Sequence, residues 1–180
     1  MVNNIGSYDV DFKESMEMFL KDEKFQSILN FYLWECPVKG TRAKGVHFET
    51  YGIIKNTDYK KLKGNMLKNT NPPLRKDYSF KACNKGEVDS EVKSTEKGIL
   101  PPDEFCVFYK RKATVGALFT SIRNAFAHGS FYIKQYSGFT RYVLKDRDNG
   151  GFITGKMSLH EETLLNWINC VRNFNKQEQE

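Results

Sequence analysis

The stretch 101–129, PPDEFCVFYKRKATVGALFTSIRNAFAHG, decides which fold the sequence predicts. Two prolines followed by Asp103 and Glu104 are typical of a helix start, where acidic side chains meet the positive end of the helix dipole. Gly129 is typical of the residue just after a helix, since glycine readily adopts a left-handed conformation. We therefore expect one long helix from Asp103 to about His128.

Upstream of this stretch, the sequence predicts two further helices. Apolar residues recur at steps of three and four over Asp11–Glu35, and Asp11 followed by Glu14 resembles a capping pair, so a long amphipathic helix is expected there. The stretch 56–69, NTDYKKLKGNMLKN, predicts a short basic helix that is weakened by Gly64.

Downstream of Gly129, the sequence predicts strands and then one more helix. SFYIKQY, FTRYVLKD and GGFITGKMS are three short runs separated by the turn sequences SG and DNGG. A last helix is expected to begin at Ser158, which places His160 in its first turn in an exposed or capping position. The polar, charged stretch 70–102 is expected to be a long surface loop or a partly mobile insertion.

These elements together predict a mainly α fold. We expect a helical bundle with a small β-hairpin or three-stranded appendage at 130–157. With 180 residues, of which 39% are hydrophobic, the chain suits a single domain spanning 1–180. The segment 37–102 is then an insertion made of a basic part and the polar loop.

Composition excludes several functional classes. The N-terminus has neither a basic start nor an apolar run, and no stretch is apolar for long enough to cross a bilayer, so we expect a cytoplasmic protein without membrane contact. The four cysteines and three histidines are too dispersed to indicate a zinc site or a disulfide framework. The cysteines are expected to be buried thiols, and no metal or cofactor is predicted.

Positive charge is concentrated in one part of the chain. The formal net charge is +6, but residues 37–76 alone carry ten basic and two acidic residues, a net charge of +8. A local positive field favours polyanions such as RNA or DNA. The alternative interpretation is a solvated, lysine-rich surface with no ligand.

Arg123, Asn124 and His128 form the most chemically informative group in the sequence. At 3.6 residues per turn, Arg123 and His128 lie about 140° apart and flank the apolar face of their helix. Ser121 and Asn124 share the edge of His128. A histidine near neutral pH suits general acid or base chemistry, and a guanidinium binds phosphate through a planar fork of donors. The structural alternative is an arginine beside the apolar face and a histidine that caps the helix.

The sequence RNAFAHG resembles the motif of the HEPN superfamily, in which an arginine, commonly followed by Asn, Asp or His, precedes a histidine by four to six residues. Arg123, Asn124 and His128 match its three positions. The resemblance is strong only over residues 118–131. It implies a helical bundle acting as a homodimer through the Arg123–His128 helix, with a composite site between two copies. It also implies a metal-independent endoribonuclease in phage defence, toxin–antitoxin or abortive-infection systems, with an antitoxin or sensor protein as a possible partner.

The resemblance also implies roles for these residues. His128 would activate the RNA 2′-hydroxyl or protonate the leaving 5′-oxygen, Arg123 would stabilise the charge on the phosphate, and Asn124 would position either one. Candidate contacts to the RNA backbone are Lys110, Arg111, Lys112, Lys60, Lys61 and Lys63. Two alternatives stay open. One is a catalytically silent HEPN-like module that binds RNA or a protein, and the other is an unrelated nucleic-acid-binding module carried by the basic segment.

Overall fold

The computed structural model describes residues 21–39, 46–70, 80–98, 103–110 and 114–175. This part of the chain contains five α-helices and five strands. The helices are α1 (Glu23–Asn30), α2 (Asn56–Lys68), α3 (Val88–Gly98), α4 (Thr114–Ala127) and α5 (Glu161–Arg172). The strands are β1 (Phe80–Cys83), β2 (Phe105–Tyr109), β3 (Phe131–Tyr136), β4 (Phe139–Arg147) and β5 (Ile153–His160). A π-helical turn, Phe31–Glu35, extends α1.

The five strands form one mixed sheet in the order β1-β2-β5-β4-β3. Only β1 and β2 are parallel, and α3 connects them. The other pairs are antiparallel, with Met157 of β5 opposite both Cys106 of β2 and Leu144 of β4. The last strand in the chain therefore lies at the centre of the sheet.

The predicted mainly α bundle is wrong, because the sheet runs through the whole molecule. The three strands predicted between residues 130 and 157 are present, but they continue into β2 and β1 and are no appendage. Their core-facing side chains, such as Tyr142, Leu144 and Met157, are fully buried beneath the helices. The protein is a mixed α/β structure, with helices on both faces of the sheet.

The long helix expected from Asp103 to His128 is also wrong in its first half. Residues 105–109, FCVFY, form β2, and the helix begins only at Thr114. Cys106 and Phe108 are buried against the main core, whereas Phe105 and Val107 are buried against α3 on the opposite face. A short aromatic and β-branched run that is covered on both sides suits a central strand, and its composition outweighed the helix-start signal before it.

The stretch 70–102 is structured where it is described, so the predicted loop is wrong for residues 80–98. Val88 and Val92, one helical turn apart on α3, pack against β2 and shield that part of the second sheet face. The basic helix expected at 56–69 is confirmed as α2. Of the long helix predicted over Asp11–Glu35, only the part after residue 20 lies within the described residues, and it is helical from Glu23.

The last helix begins later than predicted. Residues 158–160 belong to β5, and α5 starts at Glu161 with His160 as the residue before its first turn. His160 occupies the N-cap position of α5, but its side chain is buried and makes no capping hydrogen bond, so the predicted exposed position is wrong. Sheet pairing with Arg141 of β4 holds His160 in extended conformation and delays the helix.

The main core lies between the sheet and the layer formed by α1, α2, α4 and α5. Trp167 of α5 is fully buried there and donates its indole N–H to the Met66 carbonyl of α2 at 2.9 Å. The four cysteines are buried free thiols, as predicted. In the described ranges, no helix is both long and apolar enough to traverse a bilayer.

Candidate functional site

The end of α4 fixes the position of His128. The Ser130 N–H donates to the Ala125 carbonyl at 2.8 Å, and the Gly129 N–H donates to the Phe126 carbonyl at 3.2 Å. Gly129 has φ +62°, the left-handed conformation that this pair of bonds requires. The predicted role of Gly129 in ending the helix is confirmed. His128 is the capping residue of this turn, and its side chain is exposed.

Arg123 and Asn124 take part in a polar chain that runs from α4 to the sheet. Arg123 Nη1 donates to Asn124 Oδ1 at 3.0 Å, and Asn124 Nδ2 donates to Asp146 Oδ1 of β4 at 3.2 Å. Asp146 is only 2% exposed, so this carboxylate sits at the helix–sheet interface and not in solvent. The amide of Asn124 therefore bridges Arg123 and Asp146, and it ties the last turn of α4 to β4.

One turn before Asn124, α4 lies close to the sheet. Ser121 is buried and faces Gly155 of β5, which is paired with Asp146 of β4. A Cβ at Gly155 would lie 3.1 Å from both Cβ and Oγ of Ser121. The absence of a side chain at this position lets the helix lie low enough on the sheet for Asn124 to reach Asp146.

Part of the Arg123 guanidinium is shielded from solvent, since its Nε atom is buried. Burial raises the pKa of the Cys36 thiol, and the positive charge of Arg123 opposes this rise. Arg123 is half-buried, and it does not line the pocket beside His128. The two motif residues therefore lie in different surroundings within one chain.

His128 opens onto a small basic pocket of about 210 Å³ at the end of the sheet. Its lining residues are His128, Ser130, Lys145, Arg147, Asp148 and Asn149. The Lys145 N–H donates to the Ser130 carbonyl at 2.8 Å, which extends the pairing of β3 and β4 up to the helix end. The loop after α4 and the end of β4 thus bring His128, Lys145 and Arg147 to one opening.

Asp148 organises the turn that closes the pocket. Its carboxylate accepts the N–H of Gly150 at 3.0 Å and that of Phe152 at 3.1 Å, and it pairs with Lys85 at 2.7 Å. The Lys85 ammonium, with these backbone donors, holds the pKa of Asp148 below its ordinary value. Asp148 is therefore an ionised turn residue, and its charge is opposed by Lys85.

Lys145 and Arg147, at the end of β4, have hydrogen-bond donors available for an anion. Arg147 Nη1 donates to the Gly151 carbonyl at 2.8 Å, which uses one of the five N–H donors of a guanidinium. Within the part of the chain that the structure describes, the Lys145 ammonium makes no ion pair. A phosphate group is the kind of ligand that a lysine, an arginine and a histidine around one opening can hold.

The predicted lysine contacts lie elsewhere. Lys60 is exposed on α2, whereas the ammonium groups of Lys61 and Lys63 lie over the rings of Phe174 and Phe80, at 5.7 and 5.0 Å from the ring centres. Lys110 directly follows β2, and its N–H donates to the Cys83 carbonyl. Arg111 and Lys112 lie outside the described residues. None of the four described lysines lines the pocket beside His128.

The sides of α4 are covered by the same chain. Every residue from Thr114 to Phe126 is buried or half-buried, and only the end of the helix, from Ala127, is exposed. The last turn is therefore the most accessible part of this helix. The homodimer implied by the resemblance stays a prediction.

Sequence reasoning missed Lys145, Asp146 and Arg147. All three lie in the run KDRDNGG at the end of a correctly predicted strand, where alternation along a strand places neighbouring side chains on opposite faces. That alternation was the available signal. It sends Asp146 to the buried face beneath α4, and Lys145 to the other face.

Comparison of the chain with protein-family models, with curated proteins and with solved structures returned no match. The resemblance to the HEPN superfamily therefore rests on the sequence motif alone. Across the described ranges, no three His, Cys, Asp or Glu side chains are grouped so that they could hold a metal ion.

Proposed function

We propose that the protein is a metal-independent endoribonuclease that acts at the pocket beside His128. The observation that supports this proposal is the convergence of an exposed imidazole with Lys145 and Arg147 around one opening. Proton transfer by a histidine and electrostatic stabilisation by fixed cations are sufficient to promote RNA cleavage, because RNA carries its own nucleophile next to the phosphate.

In the proposed reaction, neutral His128 accepts the proton of the RNA 2′-hydroxyl while the 2′-oxygen attacks phosphorus. The bond between phosphorus and the 5′-oxygen breaks, and the leaving oxygen takes a proton from water. Lys145 and Arg147 stabilise the additional negative charge on the phosphate. The products are a 2′,3′-cyclic phosphate and a 5′-hydroxyl, and DNA is not cut because it lacks the 2′-hydroxyl.

Arg123 and Asn124 serve this proposal as positioning residues. The Asn124–Asp146 bond fixes the helix end that carries His128 to the strand that carries Lys145. Arg123 donates to Asn124 and so orients its amide. This differs from the direct phosphate contact that the resemblance implied for Arg123, since its guanidinium does not line the pocket.

The cleavage experiment compares wild type with His128→Ala, Lys145→Ala and Arg147→Ala on structured and unstructured RNA in the presence of EDTA. We expect His128→Ala to lower the rate at least about 100-fold, the usual scale for loss of a general base. His47→Ala is the matched control, because His47 is another exposed histidine outside the pocket. An unchanged rate in His128→Ala, or a requirement for magnesium, contradicts the proposal.

The positioning role is tested by the pH profile of cleavage. If Asn124 acts only through the placement of His128, Asn124→Ala lowers kcat and leaves the ascending limb of the profile in place. Asn124→Asp, which cannot donate to the Asp146 carboxylate, should be at least as impaired as Asn124→Ala. A variant with full activity would remove Asn124 from the proposal.

A catalytically silent RNA-binding module is the second candidate function. The observation that favours it is the separation of Arg123 from the His128 pocket, which leaves the motif of the resemblance incomplete as a site within one chain. It predicts RNA binding without cleavage by wild type. Induced expression in a bacterial host separates the two candidates in cells, since an unrestrained ribonuclease in a defence or toxin setting arrests growth unless a partner inhibits it.

A further inference from the structure

A second opening lies on the sheet face that is turned away from the main core. It has a volume of about 180 Å³ and is lined largely by β3 and β4, with Glu96 of α3 at its margin. The side chains that matter for its chemistry are Tyr132, Lys134, Tyr136 and Arg141. We call this opening the aromatic groove.

The aromatic rings of the groove are held in place by the sheet. Tyr136 stacks on Phe139 with ring centres 4.8 Å apart and planes 11° apart, and Phe139 in turn stacks on His160 at 4.5 Å. The Arg141 guanidinium lies 5.6 Å from the Tyr136 ring centre. Tyr132, in contrast, is 43% exposed. Because Tyr136 and Phe139 are already held by stacking, a planar ligand that binds beside Tyr132 would lose little additional side-chain entropy.

The charge of the groove favours an anionic ligand. The Lys134 ammonium lies 5.5 Å from the centre of the Tyr132 ring, and Arg141 directly faces Lys134 across the β3–β4 pair. The acid at the margin, Glu96, is neutralised by an ion pair with Lys156 of β5. Arg141 is only 5% exposed, so the groove combines the accessible Tyr132 ring with one reachable ammonium, that of Lys134, which suits a base together with its phosphate.

Lys145 of the His128 pocket lies on the same sheet face as the aromatic groove. Arg141, Val143 and Lys145 alternate along β4, and Lys145 lies opposite Lys156, whose side chain contacts α3 on that face. Arg141 lines the groove and Lys145 lines the pocket, so the two openings are separated by four residues of one strand. At about 3.4 Å per residue, this separation is roughly 14 Å.

We propose that the β3–β4 face around the exposed Tyr132 is a binding track for single-stranded RNA, with a base stacked on Tyr132 beside Tyr136 and the backbone running along Lys134 towards Lys145. The choice of the His128 pocket as the end of the track rests on the proposed nuclease function, whereas the binding itself does not. The groove is smaller than the ~300–1,000 Å³ typical of drug-sized ligands, so it suits one base rather than a larger cofactor. Paired RNA does not present a free base face, which makes single strands the expected ligand.

The test measures binding in the His128→Ala background, so that cleavage does not interfere. Fluorescence anisotropy with a labelled oligouridylate is compared with a labelled RNA duplex and with the DNA oligonucleotide of the same length. We expect Tyr132→Ala to weaken binding of the single strand about tenfold, the scale of one lost base stack, and Tyr132→Phe to retain it. Lys134→Ala should reduce the slope of log affinity against log salt by about one.

Phe152→Ala is the matched control, since Phe152 is an exposed aromatic residue that lies outside the groove. Binding that is unchanged in Tyr132→Ala, or that is stronger for duplex than for single strands, overturns the proposal. Failure of the two proposals is distinguishable. If the wild type does not cleave RNA but Tyr132→Ala weakens binding, the binding track is supported and the nuclease proposal is wrong. If the wild type cleaves RNA and Tyr132→Ala binds normally, the nuclease proposal is supported and the binding track is wrong.

Discussion

Removal of the Asp146 carboxylate should loosen the end of α4 from the sheet without unfolding the protein. Asp146→Ala deletes the acceptor of the 3.2 Å bond from Asn124 at a position that is 2% exposed. A hydrogen bond to a charged group contributes about 1.5–3 kcal/mol to stability. Globular proteins have about 5–15 kcal/mol in total, so the variant should remain folded.

Urea denaturation followed by circular dichroism measures this loss. With a slope of about 2 kcal/mol per molar urea, the expected shift is a midpoint lower by roughly 1 M, with an unchanged slope. The double-mutant cycle of Asn124→Ala and Asp146→Ala isolates the contact, and its coupling energy should be about 1 kcal/mol or more. Asp89→Ala on α3 is the control, since Asp89 pairs only with Lys93 at the exposed surface and should leave the midpoint unchanged.

The hydrogen bond contributes to helix attachment only if the coupling energy is measurable. A double variant whose loss equals the sum of the two single losses would show that Asn124 and Asp146 act independently. This bridge would then not position His128, whatever the cleavage assay shows.

Two further predictions concern a close contact and a titrating turn. Gly155→Ala places a Cβ 3.1 Å from Ser121 and should lower the free energy of unfolding by about 1–3 kcal/mol. Gly64→Ala on α2, whose Cβ meets nothing within 4 Å, should raise it by about 0.5–1 kcal/mol. Thermal melts in which both variants shift in the same direction would contradict the packing described. Lys85 lowers the pKa of Asp148 in the folded protein below its ordinary value of 3.8. The ionised carboxylate therefore stabilises the fold above pH 3.8, and this contribution is lost only as the pH falls through the lower pKa of the folded state. The amide shifts of the turn should therefore titrate below pH 3.8, and Lys85→Ala should move the midpoint upward.

Local signals in the sequence predicted the elements whose ends are marked by glycine or by helical periodicity. The strands β3, β4 and β5 were predicted because SG and DNGG separate them. The end of α4 was predicted because Gly129 marks it. In each case, the information lies within a few residues of the feature.

The elements that were missed depend on tertiary contacts. FCVFY was assigned to a helix, since a short buried run has no distinctive periodicity and only its neighbours on both sheet faces make it a strand. The helix α3 offers just Val88 and Val92 as buried anchors, too few to distinguish it from a polar loop. The strand β1 has four residues, and it exists by pairing with β2.

The candidate site was predictable only in part. Helical geometry correctly placed Ser121 and Asn124 on one edge, and both face the sheet in the structure. It gave no indication that the partner of Asn124 would be Asp146, 22 residues further along the chain. Nor did it show that the cations of the His128 pocket come from β4, whereas the predicted RNA contacts lay on α2 and at 110–112.

The central place of β5 also affects how the protein is made. On the ribosome, β2 and β4 are synthesised before the strand that joins them, so their facing edges stay unpaired until residue 160 has left the exit tunnel. A nascent chain that lacks β5 has no continuous sheet to support the aromatic groove. Until β5 is available, the facing edges of β2 and β4 are open to mispairing with other chains.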